Sequence, residues 1–117
     1  MKSHEADKGL VPIENSIEGS VYPTYDLLNE NNLLISGEHI FRVVHCLLAN
    51  VGVTIAKINK VYSHPQALGQ TRKYIYQLGL EPLAWYDTAG SAKMIKTKNL
   101  QDSAAIASKR AAEIYGL

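Results

Sequence analysis

A strand that runs directly into a helix, between residues 61 and 79, constrains the fold of this chain more than any other segment. The apolar run 61–63 has the composition of a buried strand, and Pro65 suits the first turn of a helix. Gly79 supplies a C-terminal stop. Four residues at helical spacing share one face of this helix: Leu68, Thr71, Ile75 and Leu78. The segment therefore predicts a strand and one continuous helix, the unit from which α/β folds are built.

The rest of the chain alternates short apolar runs with helical patterns. Strands are predicted over 10–13, 33–37, 39–49 and 83–86, and helices over 22–31, 89–96 and 108–115. In the 22–31 helix, Tyr25 and Leu28 share the expected apolar face. Asp87 and Ser108 fit N-cap positions, and residues 103–107 are small and apolar. This alternation predicts an α/β domain whose parallel strands are covered on both faces.

Length and composition exclude several classes of protein. The 117 residues suit one ordinary domain, and a formal net charge of +1 argues against a nucleic-acid partner. No segment approaches the roughly 20 apolar residues of a membrane helix, and the first residues lack a signal-peptide core. A single cysteine, Cys46, suits a reducing compartment. We therefore expect a soluble cytoplasmic protein with no nucleic-acid and no membrane partner.

Polar residues follow three of the predicted strands. Open α/β sheets bind ligands at the carboxyl ends of their strands, and the N–H groups of nearby helix starts hold carboxylates or phosphates. The pattern therefore predicts a site for a small anionic ligand. The three groups are Glu14, Asn15 and Ser16; Ser63, His64 and Gln66; and Asp87 and Thr88 with a turn at Gly90 and Ser91.

His64 and Glu14 are the candidates for proton chemistry. Pro65 disfavours a helical conformation for His64 and so places it at the boundary between strand and helix. A neutral histidine there would donate a hydrogen bond to a ligand, and the alternative is a histidine that only caps the helix. Glu14 would exchange a proton if it is partly buried, and would otherwise be a solvated loop acid.

Nucleophilic and metal chemistry are less well supported. Neighbouring residues of a strand point to opposite faces, so His45 cannot easily activate Cys46, which is expected to be a buried small hydrophobic residue. His39 and His45 have an even spacing, but a zinc site needs further ligands, and we expect no metal. A hydrolase that uses Ser63 and His64, or His45 and Cys46, would lack the geometry of a triad.

Three sequence blocks occur in a fixed order: VPIENS with EGSV over 11–21, SHPQALGQ over 63–70, and AAIAS with AA and YG over 104–116. From about Glu5 to the last residue the chain resembles prephenate dehydratase. The resemblance implies a two-lobed fold like that of the type II periplasmic binding proteins. It also implies conversion of prephenate to phenylpyruvate in L-phenylalanine biosynthesis, with loss of water and carbon dioxide and with no metal or organic cofactor.

The same resemblance implies site residues. It assigns Glu14 and His64 to catalysis in the cleft between the lobes, and it places Asn15 and Ser16 in the same signature as substrate-binding residues. Gln66 and Thr88 are added as substrate-contact candidates because of their places at predicted helix starts. The physical fit is good, since prephenate has two carboxylates for helix N-termini to hold and a ring hydroxyl that must be protonated as it leaves.

The chain also departs from the family pattern. A catalytic Thr-Arg-Phe motif follows the AAIAS helix in the family, whereas this chain ends at Leu117, and Thr71-Arg72-Lys73 is not a substitute because it lies within a helix. We expect an incomplete three-layer α/β lobe: a first-lobe remnant over 1–32, the second lobe over 33–107, and a returning helix over 108–117. Such a chain is expected to form a homo-oligomer and to be inactive alone. A non-catalytic module that binds a small carboxylate is the alternative.

Overall fold

The chain folds as two separate units that divide between Ile40 and Phe41. A computed structural model describes residues 6–117, so the expected beginning of the family resemblance near Glu5 lies outside the described residues. The assignment of 1–32, 33–107 and 108–117 to parts of two lobes stays a prediction. Within 6–117, no helix has the length and apolar content needed to cross a membrane.

The first unit contains a small hairpin and one helix. Strand β1, Glu14–Asn15, pairs antiparallel with β2, Gly19–Ser20, and helix α1 spans Tyr22–Glu30. A proline in the first turn favours the start of α1, because the missing N–H has no helical partner there. The helix ends at an asparagine pair, as predicted, and Asn32 adopts the left-handed conformation with φ 51°.

Three expectations for the first unit are wrong. Residues 10–13, which the structure describes, form no strand, and Leu10 is 86% exposed. Pro12 cannot donate to a sheet, and the pairing begins instead at Glu14. Residues 33–37 are likewise irregular. In α1 the buried residue is Thr24 and Leu28 is half-buried, whereas Tyr25 is 40% exposed, so Leu28 lies on the inward face as predicted and Tyr25 does not.

The second unit is built on a four-stranded sheet in the order β3-β6-β4-β5. The strands are β3, Cys46–Leu48; β4, Lys60–Ser63; β5, Glu81–Ala84; and β6, Ser103–Ala107. Strands β4, β5 and β6 are parallel, but β3 is antiparallel to β6, so the expected all-parallel sheet is mixed. The predicted strand over 39–49 contracts to three residues, because only these pair with β6.

Helices cover both faces of this sheet. They are α2, Pro65–Gln70; α3, Arg72–Gln77; α4, Thr88–Thr97; and α5, Lys109–Tyr115, with a 3-10 turn at Ile55–Lys57. One apolar cluster joins the sheet to α4 and α5 through Leu48, Ala92, Met94, Ile95, Ala105, Ala107 and Ala111. The other joins it to α2 and α3 through Ile58, Val61, Ala67, Ile75, Leu80, Ala104 and Ile106. The expected three-layer α/β arrangement is therefore confirmed.

The helix predicted over 65–79 is interrupted at Thr71. The hydroxyl of Thr71 donates to the carbonyl oxygen of Ala67 at 2.7 Å, and the residue has φ −105° and ψ 7°. Such a side-chain bond to the preceding turn competes with helical geometry, which explains the division into α2 and α3. Gly79 ends the second helix with φ 65°, as predicted.

A pair of substitutions in α3 tests the packing of this helix. Ile75 is 4% exposed, and we expect Ile75→Ala to lower the free energy of unfolding by about 2–5 kcal/mol, because it leaves a cavity in the apolar cluster. The neighbouring Tyr76 is 86% exposed, so Tyr76→Ala should change stability little. Urea denaturation measures both, and equal effects would contradict the described orientation of α3.

Candidate functional site

Three helices of the second unit begin at one edge of its sheet. The parallel strands β4, β5 and β6 end there, and they lead to the N-caps His64, Asp87 and Ser108. The ladder continues past β5, because the N–H of Trp85 donates to the carbonyl oxygen of Ser63 at 2.8 Å. The carboxyl edge of the sheet therefore carries three helix N-termini. Two of the predicted polar groups, at His64 and Asp87, lie at this edge, whereas the group at Glu14 belongs to the first unit and Ser108 was not among the predicted groups.

Each of these helices is capped by a side chain. His64 Nδ1 accepts from the N–H of Gln66 at 3.2 Å, and Ser108 Oγ accepts from the N–H of Ala111 at 3.2 Å. The carboxylate of Asp87 accepts from the N–H of Gly90. Beyond these caps, the first turns of α2, α4 and α5 contain no acidic residue. The carboxylate of Asp87 already offsets the partial positive charge at the start of α4, whereas the neutral caps of α2 and α5 leave that charge available to an anion.

His64 keeps one ring nitrogen for another partner. Because Nδ1 accepts a hydrogen bond, the neutral ring carries its proton on Nε2, and the residue is exposed. The two alternatives for His64 are therefore compatible, since a histidine that caps α2 also presents an Nε2–H donor. Gln66 is exposed in the first turn of α2, and Thr88 is half-buried as the first residue of α4.

The other three predicted site residues lie together in the first unit. Glu14 is exposed on β1, and so it lacks the partial burial that would favour proton exchange. Asn15 is half-buried, and its side-chain oxygen accepts from the N–H groups of Ile17 at 2.9 Å and Glu18 at 3.3 Å. Ser16 is exposed in the turn that follows. The roles of all six predicted site residues stay predictions.

The candidate nucleophiles are held in structural contacts. Ser63 is fully buried, and its hydroxyl donates to the carbonyl oxygen of Ile106 at 2.6 Å. Cys46 packs against the cluster under α4 and α5, whereas His45 bonds to Gln70 of α2. Neither His45–Cys46 nor Ser63–His64 has the arrangement of a nucleophile and its base. Among residues 6–117, no three His, Cys, Asp or Glu side chains are grouped to hold a metal.

An aromatic group beside the edge was missed by the sequence analysis. The ring of Trp85 lies edge-on to the ring of Tyr62, with 6.2 Å between the two ring centres. The ring centres of Trp85 and Tyr86 are 5.8 Å apart, and the amino group of Lys98 lies 5.9 Å from the centre of the Trp85 ring. The buried Nε1–H of Trp85 has no hydrogen-bond partner among residues 6–117. The Tyr86 ring covers Gly90 so closely that an added Cβ would lie 2.5 Å from it.

The sequence did hold one signal for this contact. Gly90 and Ser91 were expected to form a turn, but they lie inside α4. A glycine within a helical segment indicates close packing against that position, because it otherwise lowers helix stability. The aromatic contacts themselves join β4 to the segment after β5, and no local pattern predicts such contacts.

These features define the class of the molecule: an α/β lobe whose parallel strands end at one edge, the place where open α/β sheets bind ligands. A family model described as "Prephenate dehydratase" matches residues 1–117. The chain therefore belongs to the prephenate dehydratase family.

Relatives and a solved structure agree with this family. "Arogenate dehydratase/prephenate dehydratase 2, chloroplastic" of Arabidopsis thaliana is 53% identical over 111 residues, which are 95% of this chain and 29% of the relative. "Bifunctional N-acyl-homoserine lactone acylase/prephenate dehydratase" of Komagataeibacter europaeus is 42% identical over 112 residues, 96% of this chain and 40% of the relative. The chain thus spans less than half the length of these relatives.

The structural likeness supports the predicted fold class. Prephenate dehydratase of Arthrobacter aurescens, solved in complex with L-Phe, has a TM-score of 0.81 and 29% identity. The alignment covers 97% of this chain and 38% of that chain. The expectation of an incomplete domain of the periplasmic-binding-protein-like fold is therefore confirmed.

The cap at Asp87 supplies a test of the described edge. We expect Asp87→Ala to lower the free energy of unfolding by about 1 kcal/mol, because the N–H of Gly90 loses its acceptor. Asp87→Asn is the matched control, since asparagine caps helices about as well as aspartate. Urea denaturation distinguishes the two, and an equal loss in both variants would contradict the capping role.

Proposed function

We propose that this chain supplies binding and catalytic residues to a dehydratase that converts prephenate to phenylpyruvate, in L-phenylalanine biosynthesis. The observation that carries the proposal is the match of the prephenate dehydratase family model along residues 1–117. The carboxyl edge of the second unit supports it, because the starts of α2 and α5 have neutral caps and suit the carboxylates of a small substrate.

The reaction needs a proton and a way to hold the departing carboxylate. As the ring hydroxyl leaves, its oxygen takes up a proton and the carbon–oxygen bond breaks, giving water. The electron pair of the bond to the ring carboxylate moves into the ring, and carbon dioxide departs as the ring becomes aromatic. The protein therefore has to orient the dianion and deliver one proton, which are tasks for positioned acids and hydrogen-bond donors.

His64 and Glu14 are the proposed catalytic residues. The Nε2–H of His64 is a donor at the start of α2, and the resemblance of both sequence blocks to the family supports the pair. Asn15, Ser16, Gln66 and Thr88 are the proposed substrate contacts. The Arabidopsis relative is named for both arogenate and prephenate. The substrate class proposed here is therefore a cyclohexadiene carboxylate, and prephenate is the proposed substrate within that class.

Other properties of the whole protein stay predictions. A cytoplasmic location is expected from the sequence, whereas the Arabidopsis relative is named as chloroplastic. A homo-oligomer is also an expectation, for which exposed apolar side chains in the irregular segment before β3 are available to contact a partner. Those side chains include Leu34, Ile35, Ile40, Phe41, Val43 and Val44. The absence of a cofactor, a nucleic-acid partner and a membrane partner is likewise an expectation.

A chimera tests the proposed function. This chain replaces the matching 111 residues of the Arabidopsis relative, to which it is 53% identical, and formation of phenylpyruvate from prephenate is measured, with arogenate assayed in parallel. We expect the chimera to be active. His64→Ala and Glu14→Ala should each lower kcat by roughly 100-fold or more, because each removes a group proposed to hold the leaving hydroxyl or to deliver its proton.

Matched controls keep the result specific. His39 and Glu30 are exposed residues outside the three family blocks, so His39→Ala and Glu30→Ala should retain the activity of the chimera. Full activity of the His64→Ala and Glu14→Ala variants would show that these residues are not catalytic. A well-folded chimera that binds prephenate without converting it would favour the alternative of a non-catalytic carboxylate-binding module.

A further inference from the structure

His45 makes a contact that the proposed chemistry does not use. Its Nε2 lies 2.6 Å from the side-chain oxygen of Gln70, and the two residues are 25 positions apart in the sequence. With Gln70 as acceptor, the ring donates its Nε2–H. Both side chains are half-buried, and the bond is therefore partly shielded from competing water.

The position of His45 brings this contact to the candidate site. Strand β3 is antiparallel to β6, and Cys46 pairs with Ala107. His45, one residue earlier, therefore lies next to Ser108, at the carboxyl edge where α5 begins. This is the edge that also carries His64.

Helix α2 is short and packs on the sheet through few side chains. It has six residues and ends at the interruption at Thr71, so α3 does not continue it as a rigid rod. Ala67, together with the half-buried Leu68, packs α2 against the sheet. Within 6–117, the bond from Gln70 to His45 is the one side-chain hydrogen bond that joins α2 to a distant part of the chain.

The bond acts at the opposite end of α2 from the candidate catalytic group. His64 caps the first turn, and Gln70 is the last residue of the helix, roughly 9 Å away along its axis. Fixing the last residue restrains the rotation and tilt of so short a helix. The direction of the Nε2–H of His64 follows from that restraint.

We propose that His45 is a positioning residue: through its hydrogen bond to Gln70 it orients α2 and so aims His64 at the substrate. The inference rests on the proposed function, in which the Nε2–H of His64 donates to the substrate. His45 contributes geometry and does not itself contact the substrate.

The test uses the chimera and variants at both ends of the bond. His45→Phe keeps a ring but removes the donor, and His45→Gln keeps a donor. We expect His45→Phe to lower kcat by roughly 10- to 100-fold while KM changes much less, because a misplaced catalytic group costs rate more than binding. His45→Gln should recover most of that loss. Gln70→Leu should match His45→Phe, and the double variant should be no worse than either single one.

A second readout does not depend on activity. In the 15N-labelled chain of 117 residues, His45→Phe should shift the imidazole resonances of His64 and the amide resonance of Gln66, which His64 caps. His45→Gln should shift them less. Unchanged His64 and Gln66 resonances in His45→Phe would overturn the proposal whatever the activity of the chimera.

The outcomes separate this inference from the proposed function. If His64→Ala abolishes turnover while His45→Phe and Gln70→Leu retain full kcat, the positioning role is wrong and the proposed function stands. Equal losses in His45→Phe and His45→Gln also overturn the role, because the donor is then not what matters. If His64→Ala leaves an active chimera unaffected, the proposed site fails, and His45 cannot act through His64.

Discussion

The second unit depends on packing two layers of helices against one strand of small residues. All five residues of β6 are buried: Ser103, Ala104, Ala105, Ile106 and Ala107. Alternate side chains contact α4 and α5 on one face and α2 and α3 on the other. Small side chains allow helices to approach both faces of a central strand closely, and a larger residue would force them apart. Ser63 adds a buried hydrogen bond from β4 to the carbonyl oxygen of Ile106.

This central strand also determines where chemistry can occur. Because β6 and β5 both run parallel to β4, the turns that follow these strands share one edge, and α2, α4 and α5 all begin there. The antiparallel β3 brings His45 to the same edge from the opposite direction. The shared edge of the three helix starts and the contact of His45 therefore arise from strand order.

Local sequence signals predicted part of this arrangement. Pro65, Gly79, Asp87 and Ser108 act within one helical turn, so their roles at helix ends could be predicted from sequence alone. The pairing of strands could not be predicted in this way, because β-favouring residues form a strand only where a neighbouring strand supplies hydrogen bonds. The 39–49 segment, which forms only a three-residue strand, illustrates this limit. Contacts such as His45 with Gln70 depend on tertiary packing and leave no pattern in the sequence.

The central claim is that the carboxyl edge of β4, β5 and β6 binds the substrate's carboxylates. Titration of the 15N-labelled 117-residue chain with prephenate, followed by amide chemical shifts, tests it most directly. The account predicts shifts concentrated at residues 64–68, 87–91 and 108–112, where the three helices begin. It is contradicted if these amides stay unchanged, or if the shifts fall instead around the depression lined by Asn50, Val53 and Tyr74.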